Sequence, residues 1–503
     1  MTEPIVLAFR TVRSSSGATV TVASTATFLA LIAFTTPLAT LPATSAALGS
    51  GPEGQAWILS SMSIGLGVAL LSTGAVADDL GRRRALVLGS LVLAVSSVVC
   101  ALSPTTAVLV AGRIAAGVGG AALIAAGLGL IGHAFPAGTP EARRASGIWG
   151  AALGAGIAVG PLLATGAERF AGWAASYWLE AVLAVALALA ARFLLEESRA
   201  EHPRSVDVPG VVLLAAGVGV LLTGLVEARS GPTRPLVIVL VLGGLLLLGL
   251  WLLVERRSSA PMIDVGLFRS PPFLAATLAA LATGAGIIAT SSFLLTVMSR
   301  GLGAPAVIGA VVLLAWSATG VVTSLLARRL PVSWSGRLQL AVGLVVVAVG
   351  QLMLLGATPE SSPWRYVPGL FVAGITSGVV NSALGREAVA SVPAGRAAMG
   401  SGANNMARYV GSAIGTTVVA VVATRPGLPP GPVGLLQGFD TAVIVATVFS
   451  LLGAIAVFAC RPRRRAVIQA PTRSGAEAPE QADSKDGQGS ARRDPGPPQA
   501  AVP

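Results

Sequence analysis

Apolar runs of roughly 20 residues recur along this chain from about position 17 to Cys460, joined by short connections, and nothing else in the sequence restricts the fold as much. A hydrocarbon core about 30 Å thick is crossed by about 20 helical residues, so a chain of 503 residues accommodates about fourteen crossings. Helices are expected near 17–48, 55–77, 85–102, 107–134, 145–167, 176–195, 208–228 and 235–254. In the second half they are expected near 273–297, 305–327, 338–356, 366–385, 397–423 and 438–460. A spanning β-barrel would alternate polar and apolar residues, which these runs do not. Hydrophobic residues make up 54% of the chain and charged residues 11%, against about 25% charged in soluble domains. The fold class that follows is an all-α polytopic membrane protein. Small residues at 43–48 imitate a signal-peptide cleavage site, but the preceding run is too long for a signal sequence, so an uncleaved first helix is expected.

The formal net charge of +12 does not point to nucleic acid, because the arginines sit singly or in short clusters between apolar runs without interleaved aromatics. Their placement is better explained by membrane topology. Connections containing Arg82, Arg83, Arg84, Arg143, Arg144, Arg199, Arg204, Arg256, Arg257, Arg269, Arg328, Arg329, Arg337, Arg386 and Arg396 are richer in arginine than the alternate set, which holds Arg169, Arg229, Arg234, Arg300, Arg365 and Arg425. The excess marks the cytoplasmic side and puts both termini there. A basic cluster at Arg461, Arg463, Arg464 and Arg465 suits anionic headgroups, and the polar tail behind it is expected to be disordered. Cys100 and Cys460 form no disulfide framework and read as packing thiols. His133 and His202 lack metal-ligand spacing, and no nucleotide-binding loop is visible, so neither a metal nor ATP-driven transport is expected.

Between the second and third runs lies Gly74-Ala-Val-Ala-Asp78-Asp79-Leu-Gly81-Arg82-Arg83-Arg84. An ordinary positive-inside turn accounts for the arginines but not for the aspartate or the glycine spacing. Gly74 permits close helix approach, Gly81 a sharp turn, and Asp78 can pair with Arg82 or Arg84. The pattern resembles the loop between helices two and three of the major facilitator superfamily of secondary transporters, where it forms a gate. The resemblance implies gate roles for Gly74, Asp78, Gly81, Arg82 and Arg84, with the aspartate engaging arginines and the end of a facing helix of the second half when the outward-open state forms. Asp79 stands where that family usually has a basic residue, so the local charge network must differ.

Two further stretches extend the likeness. Leu109-Val-Ala-Gly112-Arg113, followed by Gly117, Gly119 and Gly120, is similar to the family's fourth-helix motif, whose buried arginine is associated with proton transfer; Ala116 replaces the usual glutamine. A snorkelling arginine near a helix end is the alternative. Gly147, Gly156, Gly160 and Pro161 resemble the fifth-helix motif of proton-coupled exporters, with Ala164-Thr165 in place of the final glycine pair. At about 100° per residue, Gly147, Gly150, Gly154 and Pro161 share one helix face while Gly156 and Gly160 lie roughly opposite, so neighbours can approach on both sides. Asn404, Asn405, Arg408, Gly411 and Gly415 resemble the pattern of the penultimate helix.

About fourteen helices, by the length argument above, point to the drug:proton antiporter branch. That implies two six-helix bundles, 17–195 and 255–460, joined by a linker, 196–254, that carries two extra helices. A cytoplasmic lead, 1–16, and a tail, 461–503, flank them. The segment ending Leu41-Pro42 reads Ala33-Phe34-Thr35-Thr36-Pro37-Leu38, so the carboxylate this branch usually carries in its first helix is missing. Glu180, early in the sixth helix, is the candidate replacement as proton carrier, being a titratable group at partial membrane depth. A glutamate hydrated from outside or paired with Arg169 is the alternative. Glu227 and Asp440 lie at helix ends and read as interfacial. Trp57, Trp173, Tyr177, Trp178, Trp364 and Tyr366 read as an interfacial belt. Trp316, Phe293, Asn405 and Arg408 are the candidates for a substrate cavity.

The resemblance implies no enzyme and no cofactor, but proton-coupled multidrug efflux of hydrophobic or cationic small molecules by alternating access, and hence antibiotic resistance. Its partners would be substrate, protons and the lipid bilayer, with no nucleic acid, in a monomeric multi-pass protein of the inner (cytoplasmic) membrane. A facilitator or importer without proton coupling also fits the missing carboxylate. A membrane enzyme would need clustered acidic or histidine residues on an external loop, or a large soluble domain, and neither is visible.

Overall fold

The computed structural model describes residues 16–201, 207–258, 261–331 and 333–460. The lead, His202, Arg204 and the tail with its basic cluster lie outside the described residues. In the first half the helices are α1 (Ser16–Thr35), α2 (Pro37–Leu48), α3 (Pro52–Leu80), α4 (Arg82–Ala101), α5 (Thr106–Ala134), α6 (Pro140–Ala171) and α7 (Ala175–Leu194). A pair follows, α8 (Val208–Glu227) and α9 (Pro235–Arg257). The second half holds α10 (Pro271–Thr283), α11 (Ala289–Thr296), α12 (Ala306–Leu326), α13 (Gly336–Leu352), α14 (Val367–Ala390), α15 (Ala397–Ala423) and α16 (Pro432–Ala459).

Among the described residues, thirteen helical stretches are long and apolar enough to cross a membrane, and α13, at 17 residues, is a shorter fourteenth apolar helix. Two expected helices are not uniform. The first breaks between Thr35 and Pro37, because Pro37 has no N–H to donate to the Ala33 carbonyl four residues back. The ninth runs from Pro271 to Gly301 but contains π-helical turns at Gly284–Ile288 and Val297–Gly301. The first π turn lies where the chain presses against α15: a Cβ on Gly284 would collide with the Arg408 carbonyl. Tyr177 and Tyr366 are fully buried rather than interfacial, which corrects their place in the aromatic belt, whereas Trp178 and Trp364 are exposed.

Lipid tails are as apolar as leucine, so helices here associate by close packing of small residues rather than by escape from water. Gly117 of α5 faces the Met62 carbonyl of α3, leaving no room for a Cβ. Gly156 and Gly160 sit against Phe28, Leu31, Ile32 and Thr35 of α1, while Gly147, Gly150 and Gly154 face Ser317, Val321 and Ser324 of α12. The Ser324 hydroxyl donates to the Gly147 carbonyl at 3.1 Å. α6 is therefore a seam helix, touching its own half on one face and the other half on the opposite face. Contacts of α3 and α5 with α15 make the second seam. α8 packs on α3, and α9 packs on α8 with most of its leucine-rich surface turned outward, as suits contact with lipid.

Candidate functional site

Alternation of the spans puts the C-terminal end of α3 and the N-terminal end of α15 at one end of the molecule, and the two meet there. Asp78 sits in the last turn of α3, fully buried, and accepts from both Arg82 Nε (2.8 Å) and Arg82 Nη2 (2.6 Å). The same carboxylate accepts from the backbone N–H groups of Ala398 (3.2 Å) and Met399 (2.8 Å). These belong to the first turn of α15, whose own N-cap residue, Arg396, makes no side-chain capping bond. Asp78 thus caps a helix from across the seam, meeting unpaired N–H groups and the positive end of the helix dipole at once. Arg82 Nη2 closes the cycle by donating to the Gly395 carbonyl at 2.6 Å.

Around this core the backbone leaves no slack. Gly74 abuts the Ala398 carbonyl so closely that a Cβ would collide with it. Gly81, the single residue between α3 and α4, has φ of +124°, a conformation that favours glycine, and the Glu197 carboxylate occupies the space a Cβ would need. Glu197 also accepts from the Arg83 N–H (3.0 Å) and pairs with Arg83 and Arg84. Arg84 is 68% exposed and 3.5 Å from Glu197, so it stands apart from Asp78; of the two expected partners, Arg82 is the one that pairs.

Asp79 pairs with Arg396 at 2.8 Å, their side chains 8% and 9% exposed. This second bridge across the seam accounts for an aspartate where a basic residue was expected: its partner on the other half is itself basic. Breaking a buried pair from one side costs about 3–5 kcal/mol, because a charge is left unmatched. Arg396→Asp is therefore expected to lower the melting temperature of the purified protein by several degrees, and Asp79→Arg/Arg396→Asp to recover most of that loss. Additive losses in the double variant would rule out the pairing as an energetic unit.

A second polar cluster surrounds the break in the first helix. With Pro37 unable to donate to it, the Ala33 carbonyl accepts from Arg113 Nη1 (3.2 Å), and Phe34 accepts from Nη2 (3.4 Å). Arg113 Nε donates to the Ile58 carbonyl at 3.1 Å. A buried guanidinium is thus satisfied by three carbonyls, two of them at the break, and is not snorkelling. On the other side, the Thr36 hydroxyl donates to the Glu180 carboxylate, which is buried and does not pair with Arg169. Glu180 therefore lies against the segment that lacks its own carboxylate, and Arg113 and Glu180 hold the same break from two directions.

A cavity of about 600 Å³ lies between the halves. Its lining includes Leu38, Leu41, Pro42, Ile157, Pro161, Leu295, Leu313 and Trp316, and exposed Arg169, Ser299, Arg300 and Pro305 form its rim. These rim residues lie at the end opposite Asp78. Trp316 donates from its indole to Ser377 at 2.9 Å. Phe293 lines an adjoining lobe of about 300 Å³, and Arg408 a narrow space of about 40 Å³ beneath. Asn405 reaches none of these spaces: its amide donates to Ser401, and its carbonyl oxygen accepts from Arg408 at 2.5 Å, so it braces α15 rather than lining the cavity. Glu227 accepts from the Trp57 indole at 2.8 Å and Asp440 from the Gly356 N–H at 3.0 Å.

Sequence reasoning missed Arg396, Gly395, Glu197 and Thr36 as partners. The one signal present was the charge of Asp79, which called for a cation elsewhere.

The sequence model of the Major Facilitator Superfamily matches residues 23–416. The multidrug resistance protein Stp of Mycobacterium tuberculosis is 32% identical over 388 residues, covering 76% of this chain and 71% of that protein. A probable actinorhodin transporter of Streptomyces coelicolor is 31% identical over 393 residues, covering 76% and 68%. Among solved structures, the proton:xylose symporter XylE superposes with a TM-score of 0.65 at 13% identity, over 88% of this chain and 95% of that one, a likeness of fold. The chain belongs to the Major Facilitator Superfamily and is a multi-pass membrane transporter of small molecules, not an enzyme.

Proposed function

We propose that the protein exports hydrophobic small molecules in exchange for protons, by alternating access between two six-helix bodies, 17–195 and 255–460, with 196–254 as their linker. The observation that carries this reading is a largely apolar cavity open at one end of the molecule while Asp78, Asp79, Arg82 and Arg396 seal the other. Arginine placement assigns the sealed end to the cytoplasm, with both termini on that side, so the conformation is outward-open. The relatives named for multidrug resistance support a drug-like substrate. Of the two expected substrate classes, hydrophobic and cationic, the lining favours the first, since Glu168 is the one carboxylate lining the cavity, against Arg169 and Arg300. Glu180, held by the Thr36 hydroxyl at the break in the first helix, would take up and release the proton beside the wall of the cavity. The inner membrane of a bacterium and a monomeric state fit this reading.

Everted membrane vesicles containing the full chain test it. With an acid-inside gradient imposed, a panel of hydrophobic dyes is expected to accumulate, and a protonophore to abolish the accumulation. Uptake that ignores the gradient would point to a facilitator, and uptake equal to that of vesicles lacking the chain would reject transport of the panel.

A further inference from the structure

The lobe of about 300 Å³ beside the main cavity is built partly by the linker helix α8. Past Glu227 the chain makes a 3-10 turn, Ala228–Ser230, that turns Arg229 inward between the halves. Its Nη1 donates to Ser60 of α3 (3.1 Å) and its Nη2 to Thr416 of α15 (2.9 Å). Its Nε is buried and has no partner. The ion pairs among the described residues involve neither Arg229 nor Arg300, which lines both the lobe and the main cavity. Glu227, the nearest acid along the chain, is engaged with the Trp57 indole and does not line the lobe.

A guanidinium in apolar surroundings is costly without a counter-charge, and a buried donor left unmade adds to the cost. Two neutral hydroxyls hold Arg229 in place without neutralising it. The rest of the lobe is largely apolar, with Phe34, Leu59, Ile64, Leu222 and Phe293 among its walls and serine and threonine hydroxyls and Gln55 between them. A rigid fork of donors on an apolar wall matches a planar oxyanion on an aromatic body.

We propose that this lobe is an anion subsite: Arg229 and Arg300 take the carboxylate or sulfonate of an amphipathic aromatic substrate, whose apolar body extends into the main cavity. The proposal rests on the transporter reading for its biological meaning, and it narrows the substrate class to hydrophobic compounds with one negative group. It also gives the linker pair a task, since α8 delivers the residue that touches α3 and α15 together.

Equilibrium binding to the purified full-length protein tests it, with tritiated 2-naphthaleneacetic acid and its uncharged amide as probes of one shape and two charges. The wild type is expected to bind the acid at least about tenfold more tightly than the amide. Arg229→Gln is expected to bring the two within about twofold of each other, chiefly by weakening acid binding, and Arg229→Lys to retain part of the preference. Should Arg229→Gln not fold, Arg300→Gln at the exposed rim serves as the second variant, with an expected loss of about three- to fivefold in the ratio. An acid-to-amide ratio near one in the wild type, a ratio that survives both substitutions, or no binding of either probe overturns the subsite. A preserved preference with no gradient-driven accumulation in vesicles would sink the transport reading alone, and accumulation without the preference would sink the subsite alone.

Discussion

Asp78→Asn is expected to open the sealed end. The substitution keeps the shape and one acceptor, but it removes the charge that Arg82 and the first turn of α15 share. Arg82 is left fully buried without its partner, a cost of about 3–5 kcal/mol in the sealed conformation. The unsealed conformation, in which water reaches these groups, bears much less of that cost, so the equilibrium should shift by on the order of a hundredfold or more. Spin labels at Glu141→Cys and Arg328→Cys, exposed sites on opposite halves at this end, would report it as a longer and broader distance distribution by electron double resonance. Gradient-driven accumulation should fall at least tenfold in the same variant. An unchanged distribution together with wild-type accumulation would remove Asp78 from any gating role. Asp78→Asn/Arg82→Gln, which restores neutrality, separates loss of the seal from loss of the fold.

Glu180→Gln should have the second large effect, and a different one. Glutamine still accepts from Thr36, so the wall of the cavity stays intact, but the side chain no longer gains or loses a proton. Accumulation driven by a proton gradient is expected to drop at least tenfold, while exchange of labelled for unlabelled substrate across the same membrane, which needs no net proton movement, continues at near the wild-type rate. Equal loss of both activities would mean that Glu180 supports structure rather than coupling. Wild-type gradient-driven accumulation would exclude it as the proton carrier.

Most of the fold was legible because its causes are local. Each apolar run carries its own requirement to be helical in lipid, where backbone groups find no water to bond, and the run length sets the crossing. The glycine register of α6 was readable for the same reason: helical periodicity alone separates Gly147, Gly150 and Gly154 from Gly156 and Gly160, and the two sets meet α12 and α1. The π turn at Gly284–Ile288 was not readable, because it answers to α15 pressing on Gly284, a residue with no special neighbour in the sequence. Pro37 and Arg113 are a mixed case. A proline inside a helix leaves a carbonyl unpaired, and a buried arginine needs acceptors, but that one serves the other depends on how α1 and α5 pack.

By itself, then, the sequence determined the class of solvent this chain folds in, the succession of apolar helices, the position of the charged turn and the helix faces that must pack closely. Tertiary structure alone decided the pairings of Asp79 with Arg396, of Glu180 with Thr36, and of Arg229 with Ser60 and Thr416. The reason is one of range. Helix formation and lipid burial are set within about 20 residues of chain, the length of one crossing. A charge in a low-dielectric seam is satisfied by whatever group the fold brings within hydrogen-bond distance, and for Asp79 that group lies 317 positions away.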